Sequence, residues 1–285
     1  MSRRRPETIS PTAHYTGTVW LQNGLSHPAF ATLQGQAYYL GLKLPLALSA
    51  RLGGPTLDSF LLARHRLIDR HLTDAIEEGR ITQVIEIASG LSPRGWRFCE
   101  RYRDRIRYIE TDLPAMAQSK EQLLRDGGLD REWHEVRPLN ALIDDGPDSL
   151  AALAARLDPN QGTAIITEGL INYFDTATVQ ALWTRIARTL SGFPYGLYLS
   201  DLHLNPRQGE DLPTRLFMRG LSTFVRGRVH LHHASESVAE AALREAGFTQ
   251  TEVIVPSRFG DRIPDCRTPG ADRVRVVRAC TWAPS

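Results

Sequence analysis

Cysteine is scarce in this chain. Cys99, Cys266 and Cys280 are its only three, far apart and odd in number. That excludes a disulfide framework and a zinc-ligand spacing, and a reducing cytoplasm is the expected compartment. Net charge is scarce too. Lys and Arg total 34 against 32 Asp and Glu, a formal +2, so no global field draws the chain to nucleic acid or to an anionic membrane. Long apolar runs are missing. The most apolar segment, residues 40–52, is broken by Lys43 and Pro45 and is too short to span a bilayer. Arg3, Arg4 and Arg5 precede Pro6, Glu7 and Thr8 rather than an apolar stretch. A solvated tail is therefore expected there, not a secretory signal. Internal repeats and low-complexity linkers are absent as well.

What the chain does have is enough material for one large core: 285 residues, 42% hydrophobic and 23% charged. Residues 1–80 lack strand signals and read as an N-terminal helical cap or lid. Residues 81–285 read as a single integrated α/β domain. Within it, β runs fall at 84–88, 107–112, 164–168, 196–203, 251–255 and 273–282, with a weak one at 133–138. Helical patterns separate the first five, which argues for a parallel sheet covered on both faces. No helix is evident between the last two runs, so they are expected to pair antiparallel. Asp148 is a candidate cap for a helix carrying Leu150, Leu153 and Leu157. Asp175 is another, for the stripe Val179, Leu182, Ile186 and Leu190, and Ser237 with Glu240 has capping-box spacing.

The segment 83–95, Gln-Val-Ile-Glu-Ile-Ala-Ser-Gly-Leu-Ser-Pro-Arg-Gly, holds the strongest motif. A buried-strand run ends in small residues at Ala88, Ser89 and Gly90, where a ligand can approach the backbone. Ser92 reads as an N-cap and Pro93 as the first helical residue, so free amides would face an anion. The Gly-x-Gly-x-x-Gly spacing of dinucleotide folds is missing, and Ala88 stands where an earlier glycine would be. An ordinary strand-to-helix turn is the plain alternative. The second strand ends at Asp112, followed by Leu113 and Pro114. Its carboxylate suits two ribose hydroxyls, or it merely caps the next helix. The fourth strand ends at Glu168. Glu86, Asp112 and Glu168 together would repel a pyrophosphate but favour the ammonium and sulfonium of S-adenosyl-L-methionine over NAD. Residues 56–78 read as an amphipathic helix, with Arg64 on the same face as Phe60, Ile68 and Leu72. An inward guanidinium needs an anion, either a ligand carboxylate or a structural acid such as Glu86.

With these residues in view, the chain resembles the leucine carboxyl methyltransferase-like family of class I methyltransferases, nearest the polyketide or tetracenomycin-type O-methyltransferase branch. Four stretches carry the resemblance: 63–69 (Ala-Arg-His-Arg-Leu-Ile-Asp), 84–95, 108–114 (Tyr-Ile-Glu-Thr-Asp-Leu-Pro) and 167–173 (Thr-Glu-Gly-Leu-Ile-Asn-Tyr). The resemblance implies a Rossmann-like seven-stranded sheet. It also implies S-adenosyl-L-methionine as cofactor, S-adenosyl-L-homocysteine as product, and no metal. By the same resemblance Arg64 and the Gly90 turn would hold the methionine carboxylate, Asp112 the ribose, and Leu113 the adenosine. Asn140 and Ala141 would lie beside adenine, and Glu168 beside the methionine end. Ala88-Ser89-Gly90 departs from the Gly-Ala-Gly of the wider family.

The acceptor side is less defined. Methyl transfer is an in-line displacement that needs alignment and exclusion of water. A carboxylate acceptor needs no base, whereas a hydroxyl benefits from one. His203, Tyr173 and His14 are the candidates, each with a packing role as its alternative. His230, His232 and His233 lack an acid or cysteine partner for a metal. Arg215, Arg219, Arg226 and Arg228 lie in an apparent insertion and read as a solvated face. The expected acceptor is a small molecule, a polyketide or other secondary metabolite, with no nucleic acid or membrane partner and room for a homo-oligomer. A catalytically inactive cofactor-binding partner and an NAD-dependent oxidoreductase are the competing readings.

Overall fold

The computed structural model describes residues 11–41, 57–205 and 230–282. The basic N-terminal triplet, Lys43 with Pro45, and the four arginines from Arg215 to Arg228 lie outside the described residues.

The strands are β1 (Gln83–Ile87), β2 (Arg107–Asp112), β3 (His134–Pro138), β4 (Thr163–Thr167), β5 (Tyr195–Leu202), β6 (Gln250–Ile254) and β7 (Arg275–Trp282). They form one seven-stranded sheet in the order β3-β2-β1-β4-β5-β7-β6. The first five are parallel, and β7 runs antiparallel between β5 and β6. This is the expected α/β, Rossmann-like class I methyltransferase sheet. Chain order reverses between β1 and β4, so the crevice for a ligand opens at the carboxyl ends of these strands. Fully buried β1, β4 and β5 are near-continuous apolar runs. Edge strand β3 is polar and only half-buried, which explains its weak sequence signal.

The helices are α1 (Pro11–Gln22), α2 (residues 33–41), α3 (Leu57–Glu77), α4 (Arg94–Tyr102), α5 (Pro114–Asp126), α6 (Leu150–Ala154), α7 (Thr176–Leu190) and α8 (Glu236–Glu245). Asp175 caps α7 by accepting from the Thr178 amide. Two cap expectations are corrected. Ser149, not Asp148, caps α6. Ser235 caps α8, leaving Ser237 inside the helix, while Glu240 accepts from the Val253 amide of β6. In each case the neighbouring serine has the extended backbone that an N-cap requires.

One core cluster joins α6, α7 and α8 to one face of the sheet, and a second joins α3 and α4 to the other. Ala63, Leu67, Ile68 and Leu72 of α3 lie in that second core with Val84 of β1 and Ile166 of β4. Thus α3 is a layer of the sheet domain, and within the described part of the N-terminal region it is α1 that reaches over the crevice.

Candidate functional site

Strand β1 stops where the backbone turns left-handed. Ala88 has φ 54° and Gly90 φ 50°, a conformation that costs an L-residue about 1–2 kcal/mol. The turn uses most of its own donors. The Ser89 amide donates to the Thr111 carbonyl at 2.9 Å, and the Ser92 amide to the Ser89 carbonyl at 2.8 Å. The Gly90 amide donates to Asp112 Oδ2 at 2.8 Å. The expected helix start is shifted: Pro93 is the cap position and α4 begins at Arg94, whose amide donates to Ser92 Oγ at 3.3 Å. Among the described residues, the Leu91 amide has no acceptor.

Asp112 ends β2 beside this turn. Its Oδ1 accepts from the Leu113 amide at 2.8 Å, while Leu113 itself is the cap position of α5. Burial raises the Asp112 pKa, and the two amides oppose that shift. Each oxygen keeps lone-pair capacity for a further donor.

Glu168, just past β4, sits in a buried ionic network. Arg64 Nε donates to Glu168 Oε1 at 3.1 Å and Arg64 Nη1 to Asp201 Oδ2 at 2.8 Å. Asp201 Oδ1 also accepts from the Gly169 amide at 2.6 Å. Gly169 has φ 72°, and a Cβ there would lie 3.0 Å from Arg64 Nη2. That last nitrogen has no acceptor among the described residues. Behind them, Arg94 binds Glu86 Oε1 and Asp69 Oδ1, both at 2.6 Å, and also Glu168. His65 lies 2.9 Å from Glu168, and its ring packs 4.8 Å from that of Trp20 on α1. Arg97 also binds Asp69. Three guanidiniums thus face four carboxylates. Burial pushes the Glu168 carboxyl up, but His65, Arg94 and Arg64 outweigh it and hold it well below the usual range. Burial also lowers the His65 pKa, against the opposing pull of Asp69 and Glu168.

These elements enclose a cavity of about 260 Å³. Its walls are Thr12, Ala13, Thr16 and Trp20 from α1, Arg64 from α3, and Ala88 to Leu91 from the β1 turn. Asp112 at the end of β2 is joined by Leu113 and Met116 after it, and Glu168, Gly169, Leu170 and Tyr173 follow β4. A cavity of this size is near the small end for ligand sites.

Arg64, Ala88, Gly90, Asp112, Leu113, Glu168 and Tyr173 are therefore brought together. The other predicted site residues are placed elsewhere. Glu86 is 1% exposed beneath the turn, bonded to Arg94 and to the Tyr108 hydroxyl at 2.6 Å. Glu86, offered as one alternative partner for Arg64, thus belongs to Arg94, and the structural acids on Arg64 are Glu168 and Asp201. Asn140 closes its own turn by accepting from the Leu142 amide at 3.0 Å, and the Ala141 carbonyl accepts from Arg185. Neither lines the cavity. His14 Nδ1 pairs with Thr32 Oγ1 at 2.9 Å. His203 Nδ1 pairs with the Arg273 carbonyl at 2.8 Å, and its ring meets Phe60 edge-on. Burial lowers the pKa of both histidines. His230 and His232 stack 6.2 Å apart, and His233 stacks on Trp183.

An N-terminal cap over the site was expected, and α1 supplies one wall of the cavity. Its lining residues Thr12, Ala13, Thr16 and Trp20, and Asp201, His65 and Arg94, were not singled out. Asp201 did leave a signal, as a lone carboxylate in an apolar strand run. The short α1 carries no such mark.

A family model described as leucine carboxyl methyltransferase matches residues 29–187, more than half of the chain. A Rhodococcus jostii protein provisionally named an S-adenosyl-L-methionine-dependent methyltransferase is 31% identical over 158 residues, covering 55% of this chain and 51% of that one. A Parafrankia protein with the same kind of name is 31% identical over 186 residues, covering 60% and 57%. The chain's matches thus span about half the length of these relatives. Among solved structures, a Thermobifida fusca protein provisionally described as a methyltransferase superposes with a TM-score of 0.64 at 14% identity, covering 99% of this chain and 100% of that one. At that identity the likeness shows the fold alone.

Proposed function

The chain belongs to the leucine carboxyl methyltransferase family, and from that premise we propose that it is an S-adenosyl-L-methionine-dependent O-methyltransferase of a small-molecule carboxyl or hydroxyl. We place it in the branch that serves polyketide or other secondary-metabolite chemistry. The observation that carries the reading is the charge layout of the cavity. Two carboxylates, Asp112 and Glu168, line the same walls as Arg64, whose Nη2 is uncommitted among the described residues. A ligand bearing an ammonium, a sulfonium, a carboxylate and a ribose diol matches that set, whereas a pyrophosphate meets two acids.

When bound, S-adenosyl-L-methionine supplies a methyl carbon already activated by sulfonium and leaves as S-adenosyl-L-homocysteine. The chain's own residues hold and screen it. Arg64 Nη2 and the Leu91 amide are the donors for a carboxylate. Asp112 accepts from ribose hydroxyls, and Leu113 offers apolar surface to the nucleoside. Glu168 supplies negative charge at the methionine end. Thr12, Ala13, Thr16 and Trp20 of α1 cover the cavity and exclude water. Tyr173, 41% exposed, stands on the acceptor side. His14 and His203 serve packing in this reading, because the Nδ1 of each is engaged elsewhere and neither residue lines the cavity.

The proposed partners are a small-molecule acceptor and a second copy of the chain, with neither nucleic acid nor membrane. The three cysteines are free and buried, which supports a reducing, cytoplasmic setting. Among the described residues, no helix is long and apolar enough to cross a membrane.

The test compares thermal shifts with S-adenosyl-L-homocysteine and with NAD. It then follows transfer of labelled methyl to a panel of aromatic carboxylic acids and phenols. Stabilisation by S-adenosyl-L-homocysteine and transfer to one class are expected. Stabilisation by NAD alone would overturn the reading. Tight binding with no transfer would favour a non-catalytic partner protein.

A further inference from the structure

One buried cation stands outside the residues assigned so far. Lys120, on α5, is 1% exposed, and lysine is almost never fully buried without a partner. Its Nζ donates to Glu110 Oε1 at 2.7 Å, to the Ser92 carbonyl at 2.9 Å and to Ser89 Oγ at 3.2 Å. Those three bonds use the full donor set of an ammonium. Glu110 is anchored in turn. Its Oε2 lies 3.0 Å from His134 Nε2, and a Cβ at Gly95 would come within 2.6 Å of its carboxyl carbon. Glycine at 95 therefore lets α4 pack directly on this pair.

Two of the three Lys120 acceptors belong to the turn after β1. Ser89 and Ser92 flank Gly90 and Leu91, and Ser89, Gly90 and Leu91 all line the cavity. Asp112 ties the turn through the Gly90 amide. Lys120 ties it from the α5 side, at the residues on either side of the uncommitted Leu91 amide. The ammonium also places positive charge behind the stretch of turn that would meet a carboxylate.

We propose that Lys120 is a positioning residue that sets the Ser89–Ser92 turn for the amino-acid half of the cofactor, an inference that rests on the S-adenosyl-L-methionine reading. Its action is selective. The nucleoside half is met by Asp112 and Leu113, to which Lys120 donates no hydrogen bond, its charge reaching Asp112 only through space.

The test uses the full chain and two probes, S-adenosyl-L-homocysteine and 5′-methylthioadenosine, the second lacking the amino-acid end. Affinities are measured by calorimetry for wild type, Lys120→Met, Lys120→Arg and Ser89→Ala, alongside urea midpoints. Lys120→Met should weaken S-adenosyl-L-homocysteine about tenfold or more and change 5′-methylthioadenosine less than about twofold. Lys120→Arg should recover part of the loss. Ser89→Ala keeps the ion pair and removes one bond to the turn, so a selective loss of roughly two- to fivefold is expected. Should Lys120→Met not fold, Ser89→Ala decides by the same criterion. Unchanged S-adenosyl-L-homocysteine affinity, or parallel weakening of both probes, overturns the proposal while leaving the cofactor reading intact. A wild-type chain that binds neither probe overturns the cofactor reading, and this inference with it.

Discussion

Asp112 Oδ2 accepts the Gly90 amide at 2.8 Å, so one carboxylate both closes the β1 turn and faces the cavity. The helix-cap alternative is not realised, because Leu113 is the cap position of α5 and no side chain caps that helix. Each Asp112 oxygen accepts one amide and keeps a lone pair for a ribose hydroxyl. Asp112→Ala should weaken S-adenosyl-L-homocysteine binding by about 1–3 kcal/mol, the effect of leaving buried donors unpaired. Calorimetry on the folded variant checks this. Unaltered affinity would reduce Asp112 to a turn-closing residue.

Asp201 bridges Arg64 and the Gly169 amide while only 2% exposed. Removing it uncovers a buried guanidinium nitrogen and a buried amide together. Asp201→Ala should therefore destabilise the fold by about 3–5 kcal/mol, as when one partner of a buried pair is lost. Asp201→Asn keeps an acceptor for Gly169 and should be milder. Urea denaturation of the two variants checks the ranking, and equal midpoints would contradict it.

How far these residues were legible differs by cause. Strands β1, β4 and β5 were plain because a parallel strand buried on both faces is apolar throughout. Asp112 and Glu168 were visible because an acid directly after such a run marks a strand tip. Arg64 stood out as a cation on an apolar helix face. The pairing of Arg64 with Glu168 and Asp201 was not legible, because those contacts cross more than a hundred residues and depend on strand order. Glu86 was misplaced for a related reason. Strand β1 is buried on both sides, and nothing local told which face its glutamate would take. Caps at Ser149 and Ser235 were missed by one or two residues, since several neighbours could accept the bond and only the backbone angles decide.

Burial, reinforced by Arg278, pulls the His71 pKa down to about 4. The native state thus binds fewer protons than the unfolded chain between that value and the ordinary 6.5. Stability from this group is full above pH 6.5 and falls as pH drops toward 4. His14, His65 and His203 are lowered as well and act in the same direction. Glu168 and Asp69 are also lowered, but as acids they lose their contribution only below their ordinary values of 4.5 and 3.8. Acid destabilisation should therefore begin with histidines and steepen with carboxylates. His71→Phe, packed against Phe259, should reduce the slope between pH 6 and 4.5 by up to about 1.4 kcal/mol per pH unit. Denaturant midpoints across that range check it, and an unchanged slope would assign the titration to other groups.

Ala88 holds φ 54° in the turn where glycine would be unstrained. Relief of that conformation by Ala88→Gly is worth about 1–2 kcal/mol. Two effects oppose it. Glycine adds about 0.5–1 kcal/mol of unfolded-state freedom. The lost methyl packs against the main core cluster, and a fully buried one is worth about 0.8 kcal/mol. These contributions nearly cancel, so Ala88→Gly should change stability by less than about 0.5 kcal/mol. Ala88→Val is a different case. A β-branched side chain is strongly disfavoured at positive φ, and two further methyls would point toward the cavity wall. It should lose about 2 kcal/mol or more. Thermal midpoints of the pair decide. A near-neutral glycine beside a damaging valine shows that the backbone conformation limits this position. Two similarly destabilised variants would show instead that the alanine methyl is what the site needs.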